Sequence, residues 1–126
     1  GLQKPSNPLS LYKIASELNV DYIPIEDCNT LNLDKTYNIL DAFFEKCETI
    51  YISVDLDGFT SSQAPGVSAP GPFGFSIVFF KIIFEYILTT KKVIAIDIVE
   101  LNPTHDINSI TAKLASQIID FAVTKY

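Results

Sequence analysis

The sequence predicts an α/β fold, a parallel sheet with helices on both faces in three layers. Three observations carry this. Helical and strand-like patterns alternate along the 126 residues. The two strongest strand candidates, residues 49–54 and 93–99, run almost continuously apolar, as strands covered on both faces do. Turn-forming residues separate these segments at spacings that suit βα units.

Taken in order, Ser6-Asn7-Pro8 reads as a helix start, with Asn7 as the N-cap and Pro8 at the first helical position. Leu9, Leu11, Ile14, Ala15 and Leu18 then form an apolar stripe at helical spacing. Val20 to Ile25 is a short strand candidate, weakened at its end by Pro24, and Glu26 to Asn32 is a polar connection. A second helix is expected from about Asp34 to Lys46, burying Tyr37, Leu40, Ala42, Phe43 and Phe44. Thr49 to Val54 is the second strand, β-branched and apolar. After it comes a Pro/Gly/Ser loop, Gly58 to Gly74, of a length that in a compact domain usually serves function. The third helix, about Phe75 to Thr89, is apolar nearly all round, with Lys81, Glu85 and the following threonines as its polar seam. Such a helix calls for more covering protein than this chain provides. Val93 to Val99 is the third strand, interrupted only by Asp97 and ended by Asn102-Pro103. Asp106 then caps a last helix whose inner face would carry Ile107, Ile110, Leu114, Ile118 and Phe121.

A composition of 48% apolar and 12% aromatic residues supports a sizeable core and argues against disorder. The net charge of −6, with nine Lys and Arg, makes nucleic acid and anionic membrane surfaces poor partners. The longest apolar stretch, Phe73 to Leu88, is interrupted by Lys81 and Glu85 and is too short to cross a bilayer. Cys28 and Cys47 are the only cysteines, in no CxxC, so free thiols in a reducing, cytoplasmic setting are expected. The chain contains no methionine and opens on Gly1-Leu2-Gln3, which reads as a piece of a longer protein.

The chemistry gathers at the strand ends. Asp55-Leu56-Asp57 closes the second strand, and residues two apart on a strand face the same side. Both carboxylates would therefore converge at the carboxyl rim of the sheet, where α/β proteins bind ligands. Two oxygen donors side by side are half of a hard-metal site. The bland alternative for an isolated DxD is loop entry or capping. Glu100 at the corresponding end of the third strand weighs against that, because three carboxylates at one rim repel unless a cation sits among them.

These residues carry a family resemblance. Ser53-Val54-Asp55-Leu56-Asp57, then Ala64-Pro65-Gly66-Val67-Ser68-Ala69-Pro70, then Asp97-Ile98-Val99-Glu100-Leu101-Asn102-Pro103, resemble the C-terminal part of the ureohydrolases, the superfamily of arginase, agmatinase and formimidoylglutamase. The resemblance spans essentially the whole chain, in order. It implies an arginase-like three-layer αβα fold, incomplete here, with residues 1–126 as the C-terminal part of a single ureohydrolase domain. It also implies a site with two Mn(II) ions that turn a bridging water into a hydroxide nucleophile. Asp55 and Asp57 would be metal ligands. Glu100 would be the catalytic, substrate-binding carboxylate facing the amidine, since a carboxylate accepts paired N–H bonds from an amidinium. The long loop would wall the pocket.

The wording of that loop, with Gly1-Leu2-Gln3 and Ser6-Asn7, is most similar to the formimidoylglutamase branch, which cleaves N-formimino-L-glutamate to L-glutamate and formamide in histidine degradation. Arginases and agmatinases carry an Asp-Pro soon after the DxD and a Thr-Gly-Thr-Pro in the loop. Here those places hold Thr60-Ser61 and Val67-Ser68-Ala69-Pro70. The family's remaining metal ligands, a Gly-rich segment ending in His and an Asp-x-His-x-Asp motif, are not in this sequence. With only two metal ligands, the chain alone is expected to be inactive. Its partners would be a small amidine substrate and either further copies or the missing N-terminal portion of the same protein.

Two other readings compete. Val54-Asp55-Leu56-Asp57-Gly58 also resembles the first motif of haloacid-dehalogenase phosphatases, with Asp55 as nucleophile and Asp57 as general acid, although Phe59 stands where that motif has Thr. A non-catalytic assembly fragment is the other. Elsewhere the simple readings hold: His105 as a solvated loop residue, the two cysteines as inert thiols, Tyr51 and Phe43-Phe44 as core, Lys91-Lys92 as a solvated helix end.

Overall fold

A computed structural model of the chain describes residues 7–28 and 33–125. Helices α1 (Leu9–Glu17), α2 (Ile25–Cys28) and α3 (Asp34–Phe44) precede strand β1 (Ile50–Asp55); α4 (Ile77–Thr89) leads to β2 (Val93–Val99), and α5 (Ile110–Lys125) closes the chain. β1 and β2 pair in parallel, joined through α4. The expected α/β fold is therefore present as a two-stranded parallel sheet with helices. Ile50 pairs with Val93 and Tyr51 with Ala95, so Ile94 is an extra, bulged residue, 70% exposed.

Only one face of the sheet is covered by the described residues. Ile50 and Val54 pack with Phe44 of α3, Phe84 and Leu88 of α4, and Leu114 and Ile118 of α5. Burying a side chain such as Phe84, which is 2% exposed, contributes roughly 1.5–3 kcal/mol. The opposite face presents Tyr51 and Ser53 to solvent. Tyr51 is thus a correction to its expected core position: it is 60% exposed, and its hydroxyl donates to Asp97. Phe43 and Ala42 are likewise exposed, because α3 packs through Phe44 and the buried Thr36.

The strand expected at residues 20–25 is not formed. Asn19 adopts a left-handed φ of 53° and the helix closes behind it, with the Val20 N–H donating to Ala15 O at 2.8 Å and the Asn19 N–H to Ser16 O. This paired closure is a Schellman motif and commits the Val20 donor that a strand would need. The Pro24 carbonyl then accepts from Asp27 and Cys28 to start α2 in place of a polar connection; residues 29–32 of that connection lie outside the described residues. At α1, Pro8 rather than Asn7 is the flanking cap residue, since its ψ of 153° is extended, and the Leu9, Leu11, Ile14 and Leu18 stripe stays exposed.

α4 starts two residues later than expected. Phe75 is held in a bridge with Phe59, its N–H donating to Gly58 O and its carbonyl accepting from Thr60. The first-turn donors of α4 are met by Ser76 Oγ, which accepts from Phe79, and Gln63 Oε1, which accepts from Ile77. Val78 and Ile82 remain exposed, which leaves part of the apolar helix uncovered. At α5, Asp106 is the cap as expected: its two carboxylate oxygens accept from the N–H groups of Thr111 and Ala112, each at 2.9 Å. Burial works against the Asp106 charge, but these bonds outweigh it and hold the carboxyl below its ordinary value. Asn108 and Ser109 take positive φ, so Ile107 and Ile110 turn outward and the buried face is Thr111, Leu114, Ala115, Ile118 and Ala122.

Lys92 corrects the solvated-end reading. Its Nζ donates to Phe44 O at 2.6 Å and Cys47 O at 2.9 Å, satisfying carbonyls at the end of α3. Lys91 is exposed. Cys28 and Cys47 are free thiols, Cys28 buried, and burial pushes its pKa up. Among the described residues no helix is long and apolar enough to cross a membrane.

Candidate active site

Asp55 is the last residue of β1 and Glu100 the first after β2. Because Asp55 pairs with Val99, parallel pairing brings Glu100 to the same carboxyl rim. Asp57 arrives by another route than strand alternation. Residues Leu56–Gly58 form a 3-10 turn, and the side chain of Asp55 caps it by accepting the Asp57 N–H at Oδ1, 3.2 Å away. An Asx-type turn, and not the period of two, holds the two carboxylates together. Leu56, fully buried between them, anchors the turn in the core.

The three acids are near enough for their charges to act on one another. The Asp57 carboxyl lies above its ordinary pKa, first through burial, then through the charge and hydrogen bonding of Asp55, and then through the charge of Glu100. A hard cation relieves such repulsion, and the donors, all carboxylate oxygens, suit one. The donor set is partial: among the described residues no group of three or more His, Cys, Asp or Glu is arranged to hold a metal ion. Asp55 and Asp57 would supply two ligands and leave the rest to other residues.

Glu100 has a φ of 67°, a left-handed conformation uncommon for a residue with a side chain. Residues held this way cluster at functional sites, where the surroundings over-determine them. The long loop supplies those surroundings. Its base is buried at Phe59, Ala64 and Val67, whereas Ser68, Ala69 and Pro70 form an exposed tip. The Gly66 N–H donates to Thr111 Oγ1 at 2.7 Å, and the Gly66 carbonyl accepts from the Asn102 N–H at 2.8 Å. A Cβ at Gly66 would stand 2.4 Å from Asp106 Cβ, so only glycine fits between the loop and the α5 cap.

His105 is exposed in the turn after Pro103, as its simple reading has it. Sequence reasoning missed Asn102 and Thr111 as loop anchors. Asn102 was legible only as a strand terminator beside Pro103, and Thr111 only as a small residue on a helix. It also missed Asp97, whose carboxylate accepts from the Tyr51 hydroxyl across the paired strands and lies below its ordinary pKa chiefly for that reason.

The sequence model of the arginase family matches residues 1–124. A formimidoylglutamase of Psychrobacter cryohalolentis is 37% identical over 119 residues, 94% of this chain and 34% of that protein. A formimidoylglutamase of Nocardia farcinica is 31% identical over 126 residues, all of this chain and 40% of that protein. Among solved structures, formimidoylglutamase from Bacillus subtilis superposes with a TM-score of 0.90 at 28% identity, over 99% of this chain and 40% of that one. Arginase from Bacillus subtilis, at 23% identity and a TM-score of 0.79, shares the fold. The chain spans between a third and two-fifths of the length of these relatives.

Proposed function

The chain belongs to the arginase family, and on that premise we propose that it is the C-terminal part of a dimanganese hydrolase that converts N-formimino-L-glutamate and water to L-glutamate and formamide, a cytoplasmic step of histidine degradation. The observation that carries this reading is the three-carboxylate rim, with Asp57 raised by burial, by Asp55 and by Glu100. Relatives named formimidoylglutamase at 37% and 31% identity support the choice of substrate.

Asp55 and Asp57 would hold the metal pair, with the Asx-type turn fixing their spacing before any ion arrives. When bound, the two ions supply a water activated for attack at neutral pH. Glu100 would accept N–H bonds from the formimino group and balance the positive charge of the amidine. The water oxygen joins that carbon, the bond to the glutamate nitrogen breaks, and that nitrogen leaves with a proton. The base of the loop, buried at Ala64 and Val67, would anchor the loop wall to the core.

The remaining ligands would come from the portion of the protein that this chain does not span, and the 126 residues alone would be inactive. Exposed apolar residues support a further covering layer: a groove of about 590 Å³ runs along β2 and α5, lined by Ile94, Ile96, Ile98, Ile119 and Val123. A phosphatase use of Asp55 and Asp57 is set aside, because the arginase family match runs through the entire region.

The test is product analysis on the complete Mn(II)-loaded protein, offered N-formimino-L-glutamate, agmatine and L-arginine in turn. Formamide from the first, with little turnover of the others, supports the reading. Urea from agmatine or arginine moves the assignment to another ureohydrolase. No turnover of any of them favours the non-catalytic assembly role.

A further inference from the structure

We propose that Asn102 is a positioning residue for Glu100, clasping the long loop to the turn that carries this carboxylate. The inference rests on the reading of Glu100 as the group that faces the amidine. Every hydrogen-bonding group of Asn102 is used, and each has a different partner. Its N–H donates to Gly66 O at 2.8 Å, and its Nδ2 donates to Ser68 Oγ at 3.1 Å. Its Oδ1 accepts from the Thr104 N–H at 3.1 Å, and its carbonyl accepts from the His105 N–H at 3.1 Å. Two bonds hold the loop and two hold the turn after β2.

Only Leu101 separates this clasp from Glu100, whose φ of 67° is a conformation that a side-chain-bearing residue leaves readily when released. The chain on the N-terminal side of Glu100 is fixed by the β1–β2 ladder, where Asp55 pairs with Val99. The chain on the C-terminal side is fixed by Asn102. With both sides held, the Glu100 backbone has no freedom to relax, and the carboxylate keeps one direction relative to the loop wall. Gly66 is in turn pinned to α5 through Thr111, so the clasp refers Glu100 to the helix core and not merely to a loop. An asparagine serves because it offers both a donor and an acceptor on one short side chain.

The test uses the complete Mn(II)-loaded enzyme with N-formimino-L-glutamate. Asn102→Ala removes both side-chain bonds and leaves the two backbone bonds available. The expected result is a KM raised about tenfold with kcat and bound manganese little changed, since uniform substrate binding is lost and the metal ligands are untouched. The same substitution in a Glu100→Gln background adds no further rise, because Asn102 acts through Glu100. Ser68→Ala, which removes only the bond to Nδ2 at the exposed loop tip, raises KM by a smaller factor, about threefold. It serves if Asn102→Ala does not fold. Amide hydrogen exchange gives a readout independent of turnover: the Thr104 and loop-tip amides exchange faster in Asn102→Ala. An unchanged KM, an equal rise in the Glu100→Gln background, or unaltered exchange overturns the proposal. If the wild-type enzyme releases no formamide, the functional reading fails instead, and exchange alone decides whether Asn102 is the clasp.

Discussion

Replacing Thr111 by Val tests the anchoring of the loop with one atom. Thr111 is fully buried, and its Oγ1 accepts the N–H of the buried Gly66 at 2.7 Å across 45 residues of chain. Valine preserves shape and places a methyl where the hydroxyl was, so no cavity forms. What changes is that a buried N–H loses the acceptor it has among the described residues, which costs about 1–3 kcal/mol. Asp106 keeps its two backbone donors, Thr111 and Ala112. The expected loss is about 2 kcal/mol. Thr111→Ser is the control: it removes a methyl, at about 0.8 kcal/mol, and retains the hydroxyl. Urea unfolding of the complete protein measures both, and amide exchange at Gly66 locates the effect. The order of stability should be wild type, then Ser, then Val, with the Gly66 amide losing protection only in Val. A valine variant as stable as the serine variant would refute the reasoning.

Two further predictions concern the rim and the loop. The raised Asp57 pKa means that, between the ordinary carboxylate range and its folded value, the metal-free native state holds more protons than the unfolded chain. Stability therefore falls as pH rises through that window, and Asp57→Asn should raise the neutral-pH urea midpoint of the metal-free protein and flatten its fall with pH; equal midpoints and slopes would show that ionising the half-buried Asp57 costs the fold nothing. Gly74→Ala should destabilise by about 1–3 kcal/mol, because its Cβ would stand 2.2 Å from the Phe59 carbonyl carbon, which cannot yield. Gly58→Ala meets only the far edge of the Phe75 ring and should cost less, a ranking that thermal unfolding of the two variants checks.

The strands β1 and β2, the helices α3 to α5 and the positions of the three acids after the strands were legible because their signals are local. β1 is marked by its β-branched run and β2 by its apolar run, α3 to α5 by spacing, and Asp55, Asp57 and Glu100 by their place at strand ends. The errors have physical causes of three kinds. Val20 to Ile25 has strand composition, yet the left-handed Asn19 spends the Val20 donor on closing α1. Phe75 and Ile107 fit the helical spacing, but a bridge to Phe59 holds the first and a backbone break at Asn108 and Ser109 turns the second outward. Tyr51 and Phe43 have core chemistry, but the described residues leave both side chains largely exposed. At the site, Asp57 was placed beside Asp55 for the wrong reason: a turn does what strand periodicity was expected to do. Asn102 and Thr111 escaped notice because their partners lie 34 to 45 residues away, a separation that no local pattern encodes.

The most direct measurement is manganese binding by the complete protein, with metal content read after dialysis for the wild type, Asp55→Asn and Asp57→Asn. Two Mn(II) per wild-type active site are expected, as the family resemblance implies. Each variant should hold substoichiometric metal, with formamide release from N-formimino-L-glutamate lost in parallel. Wild-type protein that binds no Mn(II), or variants that retain both the metal and the turnover, would contradict the dimanganese reading.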